Sequence, residues 1–186
     1  MLVEKKFVVY CLMLLKSVIV GAIYSIIHDQ IIYTFSPDYF HRFKFIEYSV
    51  DWAGESPRLA VSFVGVLSGW WIALLLGAIP GTFGLFFIPA RIMFRELMKT
   101  CMLIVLILEM SGLLGILFGY SYVNIFTWSD YIDWVRPGVL DPVSFLRMRF
   151  AYIAGYIGCV VGLIVGLGYL GHVAFTQGEL RRAEAE

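Results

Sequence analysis

The chain has 186 residues, of which 60% are hydrophobic, 17% aromatic and 15% charged, with a mean hydropathy of +0.83, which excludes an ordinary soluble domain and a disordered segment alike. Its 14 basic and 14 acidic residues cancel, leaving no basic surface for nucleic acid and no polybasic membrane switch. The class is a polytopic, all-α membrane protein, and 1–186 reads as one transmembrane domain.

Hydropathy marks four spans, at about 7–27, 59–79, 98–120 and 150–171, each near the ~20 apolar residues that cross a ~30 Å hydrocarbon core. Lys5 and Lys6 precede the first span and resemble the start of a secretory signal. The run that follows is longer than a signal core, holds Lys16 and offers no small-residue cleavage site, so a retained anchor is expected. Lys5 and Lys6, then Arg91, Arg95 and Lys99 between spans two and three, then Arg181 and Arg182 after span four gather on one side. By the positive-inside rule both termini are expected in the cytoplasm, with loops 28–58 and 121–149 outside.

Within the first outer loop, Ser36-Pro37 places a helix-capping residue before a proline suited to a first helical turn, and predicts a short helix over 37–45. Ser56-Pro57 starts span two in the same way, and Asp141-Pro142 starts span four outside the membrane. Thr127 with Asp130 predicts a further short helix that Pro137-Gly138 ends. Both short helices are rich in aromatics: Tyr39, Phe40, Phe43 and Phe45 in one, Trp128, Tyr131 and Trp134 in the other. An aromatic lid lying flat at the headgroup level is expected from the two loops together.

Trp70 and Trp71 in span two are read as core filling rather than as a platform for a quinone or pigment. Pro80-Gly81 predicts a kinked helix end, or, more sharply, a broken helix whose freed carbonyls hold an ion. Small residues recur at four-residue spacing in every span: Ser17, Gly21 and Ser25; Gly65 and Gly69; Gly115 and Gly119; Gly158, Gly162 and Gly166. Such stripes let helices approach closely inside one chain. Span four also carries Gly155, Gly168 and Gly171, enough small surface for a protein partner or a second copy. Cys11, Cys101 and Cys159 are an odd set inside apolar runs and read as small core residues.

Two ionisable residues, Lys16 and Glu109, stand in the middle of lipid-compatible runs at an expected common depth. A charge there costs at least ~2.5–3.5 kcal/mol on insertion scales, so the two are expected to form an intramembrane ion pair or to meet water. Such a pair serves as a structural lock between spans one and three, or as a proton or ion relay, and both readings stay open. Ser17 and Ser111 stand close in sequence to one member each. A second constellation lies at the outer end of span one: His28, Asp29 and Gln30, then Asp38 and His41, with Glu47 and Asp51 beyond. It reads as a hydrogen-bonded loop cluster. Its ligand types suit a zinc-like metal, but no tight ligand spacing supports one. No histidine lies at mid-span to hold a heme, and no cofactor is expected. Phosphate-binding glycine loops, His-Glu-x-x-His and a nucleophile beside a base are all missing, which leans away from an enzyme.

The stretch Gly21 to Ile31, with its His28-Asp29-Gln30, followed by Ser36-Pro37-Asp38-Tyr39-Phe40 and Phe43-Lys44-Phe45, resembles the opening of an uncharacterised family of small bacterial integral membrane proteins. Gly69-Trp70-Trp71 and Pro89-Ala90-Arg91 fit the same pattern. Where that pattern has Glu this chain has Asp38, and where it has an outer His-Asn pair this chain has Arg149-Phe150-Ala151-Tyr152. The resemblance implies a bacterial inner membrane and no particular reaction. The expected function is that of a non-enzymatic subunit or accessory protein of a membrane assembly, working through its outer loops and small-residue faces. The rival expectation is a small proton- or ion-coupled carrier or channel using Lys16 and Glu109.

Overall fold

The computed structural model describes residues 2–183, and in it the chain is a four-helix membrane bundle. Its long helices are α1 (Leu2–Phe35), α2 (Pro57–Phe87), α3 (Ala90–Tyr122) and α4 (Pro142–Ala183). Each overruns its hydropathy segment at both ends. Hydropathy sees only the lipid-facing stretch, whereas a helix runs on until its backbone groups are capped. Pro57 and Pro142 open α2 and α4 as expected. Asp141 Oδ1 accepts the Ser144 N–H at 3.0 Å and is a true cap. Ser56 and Ser36 make no side-chain cap bond, and the proline alone sets the first turn there.

The glycine stripes fix the pairing. On α1 and α2, Gly21 faces Ala73, Gly69 faces Ser25 and Gly77 faces Ser17. A Cβ on Gly65 would stand 2.9 Å from the Ser25 carbonyl oxygen, so the two backbones touch there. On α3 and α4, a Cβ on Gly115 would stand 2.7 Å from the Phe150 carbonyl, and one on Gly119 would stand 2.9 Å from Arg147 Cα. Gly158 meets Ser111 and Gly162 meets Ile104. The result is two antiparallel hairpins, α1–α2 and α3–α4, each closed along its length. Between hairpins the packing is sparse. The start of α1, the end of α4 and the α2–α3 link lie at one end of the bundle, the terminal end. The two long loops lie at the other, the loop end.

Clusters of buried apolar side chains fill the space between hairpins at the two ends. At the terminal end Met13, Ile88, Met93, Leu97 and Leu170 form one buried cluster. At the loop end Tyr39, Phe40 and Phe45 from the first loop join Phe145, Leu146 and Met148 of α4 in another. That corrects the expected lid. The segment Pro37–Glu47 is helical as expected, with a π turn at Phe40–Lys44, but it dips into the bundle as a plug. Tyr39 and Phe40 are buried because apolar rings gain more from the α4 face than from a surface position. The second loop, with a 3-10 turn at Trp128–Trp134, lies over this plug and has no fully buried side chain in that turn. Asp38 Oδ2 ties the loops together by accepting the N–H groups of Leu140 at 2.6 Å and Asp141 at 2.9 Å.

Three further expectations change. Helix α2 runs unbroken through Pro80 to Phe87, so no unwound stretch presents carbonyls to an ion. Near its end, Lys6 Nζ donates to the Leu85 carbonyl at 2.7 Å. Trp70 and Trp71 are 43% and 47% exposed and face outward instead of filling a core, because the glycine stripe of α2 occupies its inner face. Cys11 is exposed as well, while Cys101 and Cys159 are half-buried, and all three are free thiols.

Candidate functional site

Zipping each hairpin by glycine while spacing the hairpins by bulky clusters at either end leaves a void between them. It has a volume of about 1110 Å³ and is walled by all four long helices. The wall is largely apolar. Val20, Met102 and Leu106 line it and are also 41%, 68% and 59% exposed, so the chamber opens sideways at mid-height.

Polar groups gather at its two extremes. In the loop half, Asp29 of α1 is 2% exposed and accepts a hydrogen bond from Tyr152 Oη of α4 at 2.5 Å. Its other oxygen, Oδ2, is buried without a partner. The His28 ring stacks on Tyr24 at 5.7 Å and meets Tyr152 edge-on at 5.4 Å. Gly112 of α3 lies beside that ring, where a Cβ would make ordinary contact 4.0 Å from His28 Cε1. Glu109, one turn earlier on α3, faces Tyr24 and His28 closely enough to act on both electrostatically. Above Tyr152, Lys44 is buried, pairs with Glu47 at 3.0 Å and lies 5.1 Å over the Tyr152 ring. Tyr39 stacks on Tyr152 at 4.9 Å. Burial raises the Tyr39 hydroxyl above the usual tyrosine range and pushes Tyr48 up to about 12, with Glu47 adding to it, so this roof keeps its phenols neutral.

In the terminal half, Lys16 directs its ammonium at Met98 Sδ, 3.1 Å away, and lies 5.9 Å from the Phe94 ring centroid. Lys16 and Glu109 therefore line one chamber without pairing, and among the described residues no ion pair joins them. The reason is register. Helices α1 and α3 both begin before their apolar runs, by different amounts, and pack so that Lys16 sits level with Met98 while Glu109 sits level with Tyr24. Those two levels are eight residues apart on α1, or ~12 Å at 1.5 Å per residue. Ser17 and Ser111 reach neither charge: Ser17 Oγ donates to the Met13 carbonyl at 2.8 Å, and Ser111 packs on Gly158.

The five residues expected as an outer polar cluster disperse. Neighbours on a helix point ~100° apart, so His28 and Asp29 turn into the bundle. Gln30 turns to α2, where its Nε2 donates to the Arg58 carbonyl at 2.7 Å. Asp38 holds the second loop, and His41 is exposed, 3.1 Å from the Tyr33 hydroxyl. Among the described residues no three His, Cys, Asp or Glu side chains gather as metal ligands.

Two features escaped the sequence reading. Tyr152 lies 123 residues from Asp29, and no local pattern joins them. Glu96 is the other: it is 3% exposed at the terminal end, where Arg95 at 2.7 Å, Lys99 at 3.1 Å and Tyr169 Oη at 2.6 Å surround it. Arg95 and Lys99 signal a membrane edge in the sequence, but the acid between them carries no pattern that marks it as buried. No protein-family model, curated protein or solved structure matches this chain.

Proposed function

We propose that this chain is a small, non-enzymatic, proton- or ion-coupled carrier of the bacterial inner membrane, with both termini cytoplasmic and the chamber between its hairpins as the working part. One observation carries the reading: Lys16 and Glu109 line the same chamber and do not neutralise each other. A lock between α1 and α3 needs them in contact; a carrier needs them free to meet something that enters. The basic residues at the terminal end support the orientation, and the resemblance of the first span and loop supports the bacterial membrane.

The test is flux in proteoliposomes, read with a pH-sensitive dye inside the vesicles under an imposed gradient. Glu109→Gln is expected to abolish flux at least tenfold below the parent while the protein still elutes as a folded species. Equal flux from the variant would remove the carrier reading. A second reading, the accessory subunit, draws on α4, where a Cβ on Gly168 or Gly171 would meet nothing within 4 Å. These positions leave small surface open to a protein partner or a second copy. Under that reading Glu109→Gln with Lys16→Met leaves function intact, and a bulky residue at Gly171 abolishes it.

A further inference from the structure

We infer that the loop half of the chamber binds a lipophilic organic monocation, with the cationic centre held by Asp29 and Glu109 and the apolar body along the chamber wall. This rests on the chamber being the working part. Two carboxylates line that half, and Asp29 is almost fully buried with Oδ2 left without a partner. A buried, charged carboxylate oxygen with no donor is costly, and a proton, a donor or a cation that reaches it relieves that cost.

Among the described residues no lysine or arginine forms an ion pair with either carboxylate. Lys44 lies above the Tyr152 ring, outside the chamber wall, and bonds Glu47; it acts on Asp29 at longer range without pairing with it. Along α1, Lys16 at Met98 is ~12 Å below the level of Glu109 and ~20 Å below Asp29. His28 faces Glu109, and one imidazole pairs with at most one of the two carboxylates.

The surroundings choose the kind of cation. The rings of Tyr24, His28 and Tyr152 present aromatic faces and edges beside the carboxylates, which suits a diffuse charge that sheds water cheaply. A bare metal ion calls for a fuller ligand set, and among the described residues no three His, Cys, Asp or Glu side chains gather to supply one. The sideways opening past Met102 and Leu106 admits an apolar molecule from lipid.

The experiment uses the purified full chain in nanodiscs of uncharged lipid and a shape-matched set of probes: tetraphenylphosphonium, neutral tetraphenylmethane and tetraphenylborate, each followed by equilibrium dialysis with empty discs as background. Saturable, protein-dependent binding of the phosphonium is expected, at least tenfold tighter than either other probe. It should weaken at least tenfold in Asp29→Asn and in Glu109→Gln. Should Asp29→Asn fail to fold, Glu109→Gln and the charge series decide. Borate or the neutral probe binding as tightly as the phosphonium, or phosphonium affinity unchanged in Glu109→Gln, overturns the cation assignment and leaves the chamber as a binding site. Absence of saturable binding by all three overturns both.

Discussion

The contacts within a hairpin and the space between hairpins are built on opposite rules. Inside α1–α2 and α3–α4, glycines bring backbones into contact and leave no room for one added carbon at Gly65, Gly115 or Gly119. Between the hairpins, aromatic and aliphatic clusters at each end hold the helices apart and leave a void of about 1110 Å³. The same helices therefore carry a contact face and a chamber-lining face. In lipid, where apolar residues gain little by leaving the hydrocarbon, close approach holds helices together, so the glycine face holds the fold and frees the other face for polar residues.

The largest effect is expected where the spacing is set. Phe40→Ala empties a fully buried site in the plug and should cost about 3–5 kcal/mol, seen as a lower midpoint of heat-induced unfolding in micelles together with loss of probe binding. Next comes the hairpin contact itself: Gly115→Val overpacks a backbone contact and should cost about 1–3 kcal/mol. Tyr152→Phe removes the donor to a buried carboxylate, for about 1–3 kcal/mol, with most of its effect on binding at Asp29. Least of all is Gly168→Ala, where a Cβ meets nothing within 4 Å; a midpoint shifted by no more than ~0.5 kcal/mol is expected. If Gly168→Ala were as damaging as Gly115→Val, the distinction between the closed face and the open one would fall.

Span positions and the starts at Pro37, Pro57 and Pro142 were legible because hydropathy and capping are local. The glycine spacing likewise announced tight packing, although nothing in one sequence says which stripe meets which. The relation of Lys16 to Glu109 was not legible. Depth counted along a sequence assumes that each helix starts where hydrophobicity does, whereas α1 and α3 both begin earlier and by different amounts, and only packing sets their register. The bond from Tyr152 to Asp29 depends on α4 crossing α1 at the loop end, which only the packed bundle defines. His28, Asp29 and Gln30 were noticed together as a polar run, yet their shared helix sends them to different neighbours.

The sideways opening at Val20, Met102 and Leu106 has a practical meaning for anything that occupies the chamber. The plug and its tether through Asp38 pack one end of the bundle, and the cluster around Met93 and Leu97 packs the other. An occupant is then drawn from molecules dissolved among the acyl chains, so occupancy follows partitioning into the bilayer rather than the aqueous dose. Two compounds with equal chemistry at the head and different oil solubility would compete unequally at the same concentration in water. Changes in acyl-chain length or order would alter exchange even with every residue of the protein unchanged.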